Sequence, residues 1–252
     1  MSATRWLDHA RRLLDGIADQ DEALEAASRL CADAIAADGL VHMFGTGHSR
    51  MPVEEMFPRY GSYPGFHPIV ELSMTFHTQV VGANGQRQAM FIERCEGLAE
   101  TILANFALRP SDVMVVFSHS GANAVPVEMA MGAQKRGLKV IAVTSLAHNE
   151  ATRDASEPKL TDHADVVLDL ATPPGDALVP VEGFPGPIGP GSTLTAVAIV
   201  NCLKVRTAEL LAARGITLPV ISSDAVVGER AAELFDAAYR EHARRVRDVL
   251  QT

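Results

Sequence analysis

The sequence predicts a three-layer α/β/α fold, in which a doubly wound parallel sheet lies between two layers of helices. Its predicted strands are continuous apolar runs, and helical segments separate them along the chain. Strands of this kind are buried on both faces, which is typical of parallel sheets. Turns rich in glycine, serine and threonine follow several of these strands, at the edge of the sheet where α/β proteins bind their ligands.

Length and composition are those of one substantial globular domain. The chain has 252 residues, of which 47% are hydrophobic and 21% charged, and its formal net charge is -9. The basic stretch from His242 to Arg247 lies among acidic residues on a predicted helix, so we expect no nucleic-acid partner. No apolar run approaches the roughly 20 residues of a membrane span, and the first residues lack a signal-peptide core. We therefore expect a cytoplasmic protein without membrane contact.

The predicted elements alternate between helices and strands. Helical periodicity covers 4–37, 89–108, 124–136, 192–214 and 224–250. Predicted strands cover 40–44, 68–72, 113–117, 139–144 and 166–170, and 218–221 is a strand or an extended segment. We divide the chain into an N-terminal helical segment (1–38), a ligand-binding α/β domain (39–214) and a C-terminal helical extension (215–252).

The turn after the strand 113–117 has the composition of a phosphate-binding loop. Ser118 and Ser120 supply hydroxyl donors, Gly121 lets the backbone come close to a ligand, and Asn123 suits the N-cap of the next helix. Pro126 falls in the first turn of that helix, where its missing N–H costs little. A helix N-terminus with free amides and hydroxyls binds phosphate without lysine or arginine, although serine and glycine also make ordinary turns.

Three segments give the chain a resemblance to the SIS (sugar isomerase) domain family, whose fold is flavodoxin-like. The segment Ser118-x-Ser120-Gly121 after an apolar strand looks like the central signature of that family. The segment 44–49 resembles its first sugar-contacting loop, and 189–196 resembles the Gly-Ser-Thr segment of N-acetylmuramic acid 6-phosphate etherases. The whole chain is most similar to a bacterial group described as phosphoheptose isomerase-like proteins.

The resemblance implies a phosphosugar-binding protein and assigns roles to residues of this sequence. The implied phosphate-binding residues are Ser118, Ser120, Gly121, Asn123, Ser192 and Thr193. The implied sugar-binding residues are Gly47, His48, Ser49, Thr144 and Ser145. Sites of this family are usually completed by a neighbouring subunit, so we expect a homodimer or homotetramer.

Sugar-phosphate isomerisation requires a base and a group that moves a proton between two oxygens. The heptose isomerases favour Glu55 as the base, because a carboxylate follows their first loop, whereas the etherases favour Glu93 or Glu96. His119 lies inside a ligand loop and is the candidate for proton transfer. The heptose isomerases also carry a histidine on the late helix, and 192–202 contains none. This departure puts their particular chemistry in doubt.

Several alternatives to an isomerase remain open. The first is a sugar-phosphate sensor without turnover, and the second is an etherase-like lyase. A third is an NAD(P)-dependent oxidoreductase, since Gly45-x-Gly47 follows a strand and Glu71 ends the next one, but Arg50 occupies the third glycine position. We expect no cofactor. We also expect no metal, because His48, His77 and His119 lack the spacing of a metal motif.

Overall fold

A five-stranded parallel sheet forms the centre of the molecule. The computed structural model of the chain describes residues 4–75, 85–152 and 157–250, so His77 lies outside the described residues. The strands are β1 (Val41–Gly45), β2 (Phe66–Ile69), β3 (Val113–Phe117), β4 (Lys139–Thr144) and β5 (Val166–Asp169). Their order in the sheet is β2-β1-β3-β4-β5, and every pair is parallel. The predicted fold class is confirmed.

Helices cover both faces of the sheet. Those of the first part of the chain are α1 (Arg5–Ala18), α2 (Asp21–Ala36), α3 (Met51–Met56), α4 (Gly85–Ile92) and α5 (Leu98–Leu103). They are followed by α6 (Ala124–Lys135), α7 (Leu146–Ala151), α8 (Ser192–Ala213), α9 (Asp224–Val227) and α10 (Arg230–Val246). Successive side chains of β3 belong to opposite cores: Val115 packs with residues of α2 and α8, and Val116 with residues of α5 and α6.

Two predicted helices are interrupted by glycines with left-handed backbone angles. The helix predicted over 89–108 is instead α4 and α5, and Gly97, with a φ of 81°, precedes α5. The helix predicted over 224–250 breaks at Gly228, whose φ is 61°. L-residues rarely adopt such angles, so glycine marks both breaks. The single-helix predictions were wrong at these positions.

The remaining differences concern short extended segments. Strand β2 ends at Ile69, earlier than predicted, because the chain turns into a 3-10 helix at Leu72–Met74. Residues 218–221 do not form a strand, although Ile221 exchanges backbone hydrogen bonds with Gly61 and Ser62. An antiparallel hairpin of β6 (Ala177–Val179) and β7 (Ile188–Pro190) was not predicted. Its strands are too short to show a period in the sequence.

Candidate ligand-binding site

The strand order creates a natural binding crevice between β1 and β3. From β1 the chain proceeds to β2 on one side of the sheet and later to β3 on the other, so the connections that follow β1 and β3 diverge. Ligands of open α/β sheets bind at this switch point. Gly45 of β1 pairs in register with Phe117 of β3, so the turns that begin at Thr46 and Ser118 lie side by side.

A small cavity that opens to solvent lies at this edge of the sheet. Its lining consists of His48, Ser49, Phe117, Ser118, Val143, Leu170, Ser192, Thr193 and Ala196. The structure thus brings together predicted residues from the turn after β1, the turn after β3 and the start of α8. Hydroxyl and imidazole groups form one part of the wall, and apolar side chains of the sheet and α8 form the rest.

The turn after β3 is built by hydrogen bonds to its own serines. Ser118 is buried, and its Oγ accepts a 3.1 Å hydrogen bond from the Gly121 amide. Ser120 Oγ accepts a 3.4 Å bond from the Ala122 amide. Gly121 has a φ of 57°, and a Cβ there would lie 2.8 Å from Thr144 Oγ1. The turn therefore needs glycine at 121. Because the two serine hydroxyls accept hydrogen bonds within the turn, their protons remain available to a ligand.

The turn after β1 is equally tight. The Ser49 amide donates a 2.9 Å hydrogen bond to the Thr46 carbonyl, and Gly47 has a φ of 54°. A Cβ on Gly45 would lie 2.1 Å from the Ser49 carbonyl oxygen, so no larger residue fits at 45. This close approach fixes Ser49 at the cavity wall, while His48 remains exposed.

Glu93 connects the two turns. Its Oε2 accepts a 2.5 Å hydrogen bond from Thr46 Oγ1, and its Oε1 accepts a 2.8 Å bond from Asn123 Nδ2. Asn123 precedes α6 as predicted, but its side chain does not cap that helix because it is committed to Glu93. Burial raises the pKa of Glu93, although the hydrogen bond from Thr46 opposes the shift. Glu93 does not itself line the cavity, but it bonds to both turns that do, and a carboxyl group with a raised pKa near a binding site is a candidate acid–base group.

The structure does not bring Glu55 to the cavity. Its Oε2 lies 3.0 Å from Arg59 Nη1, and its Oε1 accepts a 3.3 Å hydrogen bond from Asn201 Nδ2. Lys204 Nζ donates to its backbone carbonyl at 2.9 Å. Glu55 thus holds α3 against α8.

His119 lies in the turn after β3, beside the cavity lining rather than within it. Its Nε2 is 3.1 Å from Thr172 Oγ1 and 3.9 Å from Asp176 Oδ1, and its ring centroid is 4.8 Å from that of His148. Burial lowers the pKa of His119, and the neighbouring His148 acts in the same direction while Asp176 opposes it. The imidazole is therefore neutral at pH 7.

Thr144 and Ser145 are buried and bonded within the protein. Thr144 Oγ1 donates to the His119 carbonyl at 3.2 Å and accepts from Asn149 at 2.8 Å. Ser145 Oγ donates a hydrogen bond to the Thr172 carbonyl at 2.7 Å and accepts one from the His148 amide. Neither residue lines the cavity. Both residues instead bond to the His119 carbonyl and so hold the turn after β3 in place.

Sequence reasoning missed Asp176, which holds the start of α8. Its Oδ1 accepts hydrogen bonds from the amides of Gly191 and Ser192, at 3.0 and 2.7 Å, and its Oδ2 accepts from Ser192 Oγ at 2.6 Å. Asp176 precedes β6 and Ser192 follows β7, so the unpredicted hairpin brings them together. The segment Pro173-Pro174-Gly175-Asp176 indicates a turn in the sequence, but it does not indicate that Asp176 bonds to Ser192.

Within the part of the chain that the structure describes, no group of His, Cys, Asp and Glu side chains is arranged to hold a metal ion. Among the helices in those same ranges, none combines the length and apolar composition needed to cross a bilayer.

The sequence also assigns the chain to a family. Residues 5–145 match the profile of the SIS domain, so the chain belongs to the SIS domain family. It is also 35% identical over 249 residues to a UPF0309 protein of Streptomyces avermitilis, covering 97% of this chain and 96% of that one. A UPF0309 protein of Listeria monocytogenes is 33% identical over 221 residues, covering 86% of this chain and 87% of its own.

A solved structure agrees with the fold. The structure of a phosphoheptose isomerase from Francisella tularensis matches with a TM-score of 0.54 and 16% identity, covering 83% of this chain and 100% of that one. At this identity the likeness concerns the architecture alone. The resemblance to SIS domains expected from the sequence is confirmed, as is the similarity of the fold to phosphoheptose isomerases.

Proposed function

We propose that this protein binds a sugar phosphate in the cavity lined by the turns after β1 and β3 and by the start of α8, and that it acts as a sugar-phosphate isomerase. The observation that carries the proposal is the convergence of three hydroxyl-bearing segments on one cavity at the switch point of the sheet. They contribute Ser49, Ser118 and Ser192 to its wall. A pocket that combines apolar walls with a few hydroxyl groups suits a small polar ligand.

The phosphate binds at the turn after β3. Ser118 and Ser120 accept hydrogen bonds from backbone amides, so their hydroxyls have protons to donate to a phosphate oxygen. The N-terminus of α6 follows directly, and its positive dipole end favours an anion. No lysine or arginine lines the cavity within the described residues, which suits recognition by neutral donors and the helix end.

Glu93 is the proposed base and His119 the proposed proton carrier of the isomerisation. Glu93 removes a proton from the carbon beside the carbonyl group and returns a proton to the former carbonyl carbon, and His119 moves a proton between the two oxygens. Burial raises the pKa of Glu93 toward the range in which a carboxylate is an effective base. Both residues lie in or against the turns that line the cavity.

A sugar-phosphate sensor without turnover is the second candidate. Both oxygens of Glu93 are already occupied by Thr46 and Asn123, as in a carboxylate that organises a binding site. In that case Glu93 holds the two turns together and no group performs acid–base chemistry. We place either activity in the cytoplasm, in a homodimer or homotetramer.

The proposal is tested by a thermal-shift screen of the purified protein. The panel contains sugar phosphates, their unphosphorylated parents, NAD(H) and NADP(H). A ligand at 100 times its Kd stabilises the native state by about 2.7 kcal/mol, which is readily measured. Stabilisation by sugar phosphates but not by their parents supports the proposal. Stabilisation by dinucleotides alone would refute it in favour of an oxidoreductase.

Solvent exchange then separates the isomerase from the sensor. A stabilising sugar phosphate is incubated with the protein in D2O and followed by proton NMR. An isomerase incorporates deuterium at the carbon next to the carbonyl group, because the abstracted proton exchanges with solvent. A sensor binds the same compound and leaves its carbon-bound protons unchanged.

A further inference from the structure

The hairpin of β6 and β7 brings Asp176, which the proposed function leaves without a role, next to Ser192 of the cavity wall. Ala177 pairs with Pro190 at the base of the hairpin, which places Asp176 against the first residues of α8. The Asp176 carboxylate accepts hydrogen bonds from the backbone amides of Gly191 and Ser192 and from the Ser192 hydroxyl. Ser192 lines the cavity, and Asp176 stands behind it.

This arrangement determines what Ser192 offers to a ligand. A serine hydroxyl has one proton to donate and two lone pairs to accept with. The proton of Ser192 is committed to Asp176 Oδ2 at 2.6 Å, so only lone pairs remain for the cavity. A phosphate dianion has only acceptor oxygens, and the nearby carboxylate repels it. Ser192 therefore suits a ligand O–H group and does not suit a phosphate.

The turn after β3 has the opposite polarity. Ser118 and Ser120 each accept a hydrogen bond from a backbone amide. In the described part of the chain, neither hydroxyl donates one, so both protons are available to acceptor oxygens. The cavity wall thus contains a donor hydroxyl at Ser118, the one of these two serines that lines it, and an acceptor hydroxyl at Ser192.

The chain holds Asp176 in this position despite an unfavourable backbone angle. Asp176 has a φ of 70°, in the left-handed region that favours glycine. Ala171, on the same connection from β5 to β6, has a φ of 55°. Residues kept in such conformations cluster at functional sites, where surrounding contacts fix them. Here the contacts that fix Asp176 are its hydrogen bonds to the start of α8.

We propose that Asp176 is a positioning residue that orients Ser192 as a hydrogen-bond acceptor for a sugar hydroxyl, so that the cavity binds its ligand with the phosphate at Ser118 and Ser120 and the hydroxyls at Ser192. The proposal rests on the proposed function and deepens it, because it sets the direction of the sugar phosphate. It also reverses the phosphate-binding role expected for Ser192 from the sequence.

Calorimetric titration with two probes tests the orientation. The first probe is inorganic phosphate, which fills only the phosphate end. The second is fructose 6-phosphate or sedoheptulose 7-phosphate, whichever binds the unmodified protein more tightly. Ser192→Ala should weaken binding of the sugar phosphate by about tenfold, the effect of one lost hydrogen bond, and change the affinity for inorganic phosphate by less than about twofold. Asp176→Asn should also weaken binding of the sugar phosphate, because the asparagine Nδ2 would donate to Ser192 Oγ and leave that hydroxyl as a donor rather than an acceptor toward the cavity.

Asp165→Asn is the matched control. Asp165 Oδ2 also accepts a backbone hydrogen bond, from the Val140 amide at 2.9 Å, but at the opposite end of the sheet. This variant should bind both probes like the unmodified protein. Retained binding of inorganic phosphate shows that the Ser192 and Asp176 variants are folded.

Other outcomes overturn the proposal. Equal weakening of both probes by Ser192→Ala would mean that Ser192 donates to the phosphate, and unchanged affinity for the sugar phosphate would mean that Ser192 does not contact the sugar. Failure of the proposed function gives a different result, because the unmodified protein would then bind neither sugar phosphate. The proposed role of Ser192 would be refuted as well.

Discussion

The amide group of Asn123 donates a 2.8 Å hydrogen bond to Oε1 of Glu93. Because Thr46 donates to the other oxygen of the same carboxylate, Glu93 ties the turn after β3 to the turn after β1. These are the turns that carry Ser118 and Ser49 to the cavity. This partly buried carboxylate thus joins the two turns by side-chain hydrogen bonds, in addition to the pairing of β1 with β3.

Replacing Glu93 should change how stability depends on pH. Burial raises the pKa of Glu93 in the folded protein, so the folded state binds its proton more tightly than the unfolded state does. The resulting stabilisation is present below the ordinary glutamate pKa and is lost as pH rises through the folded pKa. Urea unfolding between about pH 4 and pH 7 should therefore show that Glu93→Gln, relative to the unmodified protein, becomes less destabilising as pH rises.

Glu100→Gln is a control variant for which the pH dependence of stability should change in the opposite direction. The hydrogen bond from Arg136 lowers the pKa of Glu100, so its contribution is present at neutral pH and lost in acid. Glu100 is exposed, so the effect should be small. A pH-independent difference between Glu93→Gln and the unmodified protein would contradict the account of Glu93.

Gly121→Ala should destabilise the protein by more than its backbone angle alone requires. An L-residue at a φ of 57° costs about 1–2 kcal/mol, and the new Cβ would also lie 2.8 Å from Thr144 Oγ1 and 2.9 Å from Asn149 Oδ1. Overpacking of this kind adds roughly 1–3 kcal/mol. The free energy of unfolding measures the sum.

Gly61→Ala separates the two contributions. Gly61 has a φ of 83°, but a Cβ there meets nothing within 4 Å. This variant should lose only the backbone part, on the order of 1 kcal/mol. Equal losses in the two variants would show that Thr144 and Asn149 do not press against the turn.

The pair of the buried His42 and the partly buried His67 should make the protein sensitive to acid. Their Nδ1 atoms lie 2.9 Å apart, and burial together with His42 and His242 lowers the pKa of His67 to about 3. The neutral form is thus favoured by folding, and stability is lost as pH falls from the ordinary histidine value of about 6.5 toward 3. His67→Gln should flatten this part of the stability curve, measured by urea unfolding at several pH values. An unchanged slope in His67→Gln would contradict this account.

The sequence predicted the sheet well because its central strands are uniform apolar runs. The turn after β3 was also predictable, since Ser118, Gly121 and Pro126 occupy positions with clear local meaning. His42, on the apolar run of β1, is buried between His67 and Asp112, as its position in a central strand favours.

The parts that escaped prediction depend on contacts between distant segments. Thr144 and Ser145 follow a strand, as ligand residues often do, but position along the chain does not show that their hydroxyls bond to His119 and Thr172. Asp176 reaches Ser192 only because a short hairpin folds back on itself. Local patterns contain no information on either pairing.

The most direct test of the central claim is a calorimetric titration of a sugar phosphate into the Ser118→Ala/Ser120→Ala double variant. The control is Ser62→Ala, which removes another buried serine whose Oγ accepts a backbone amide in a turn, at 2.9 Å from Arg59 N. The account predicts that the double variant loses binding of fructose 6-phosphate or sedoheptulose 7-phosphate by roughly 100-fold, the effect of two lost hydrogen bonds to a charged group, while the control binds normally. Undiminished binding by the folded double variant would contradict the claim that this turn holds the phosphate.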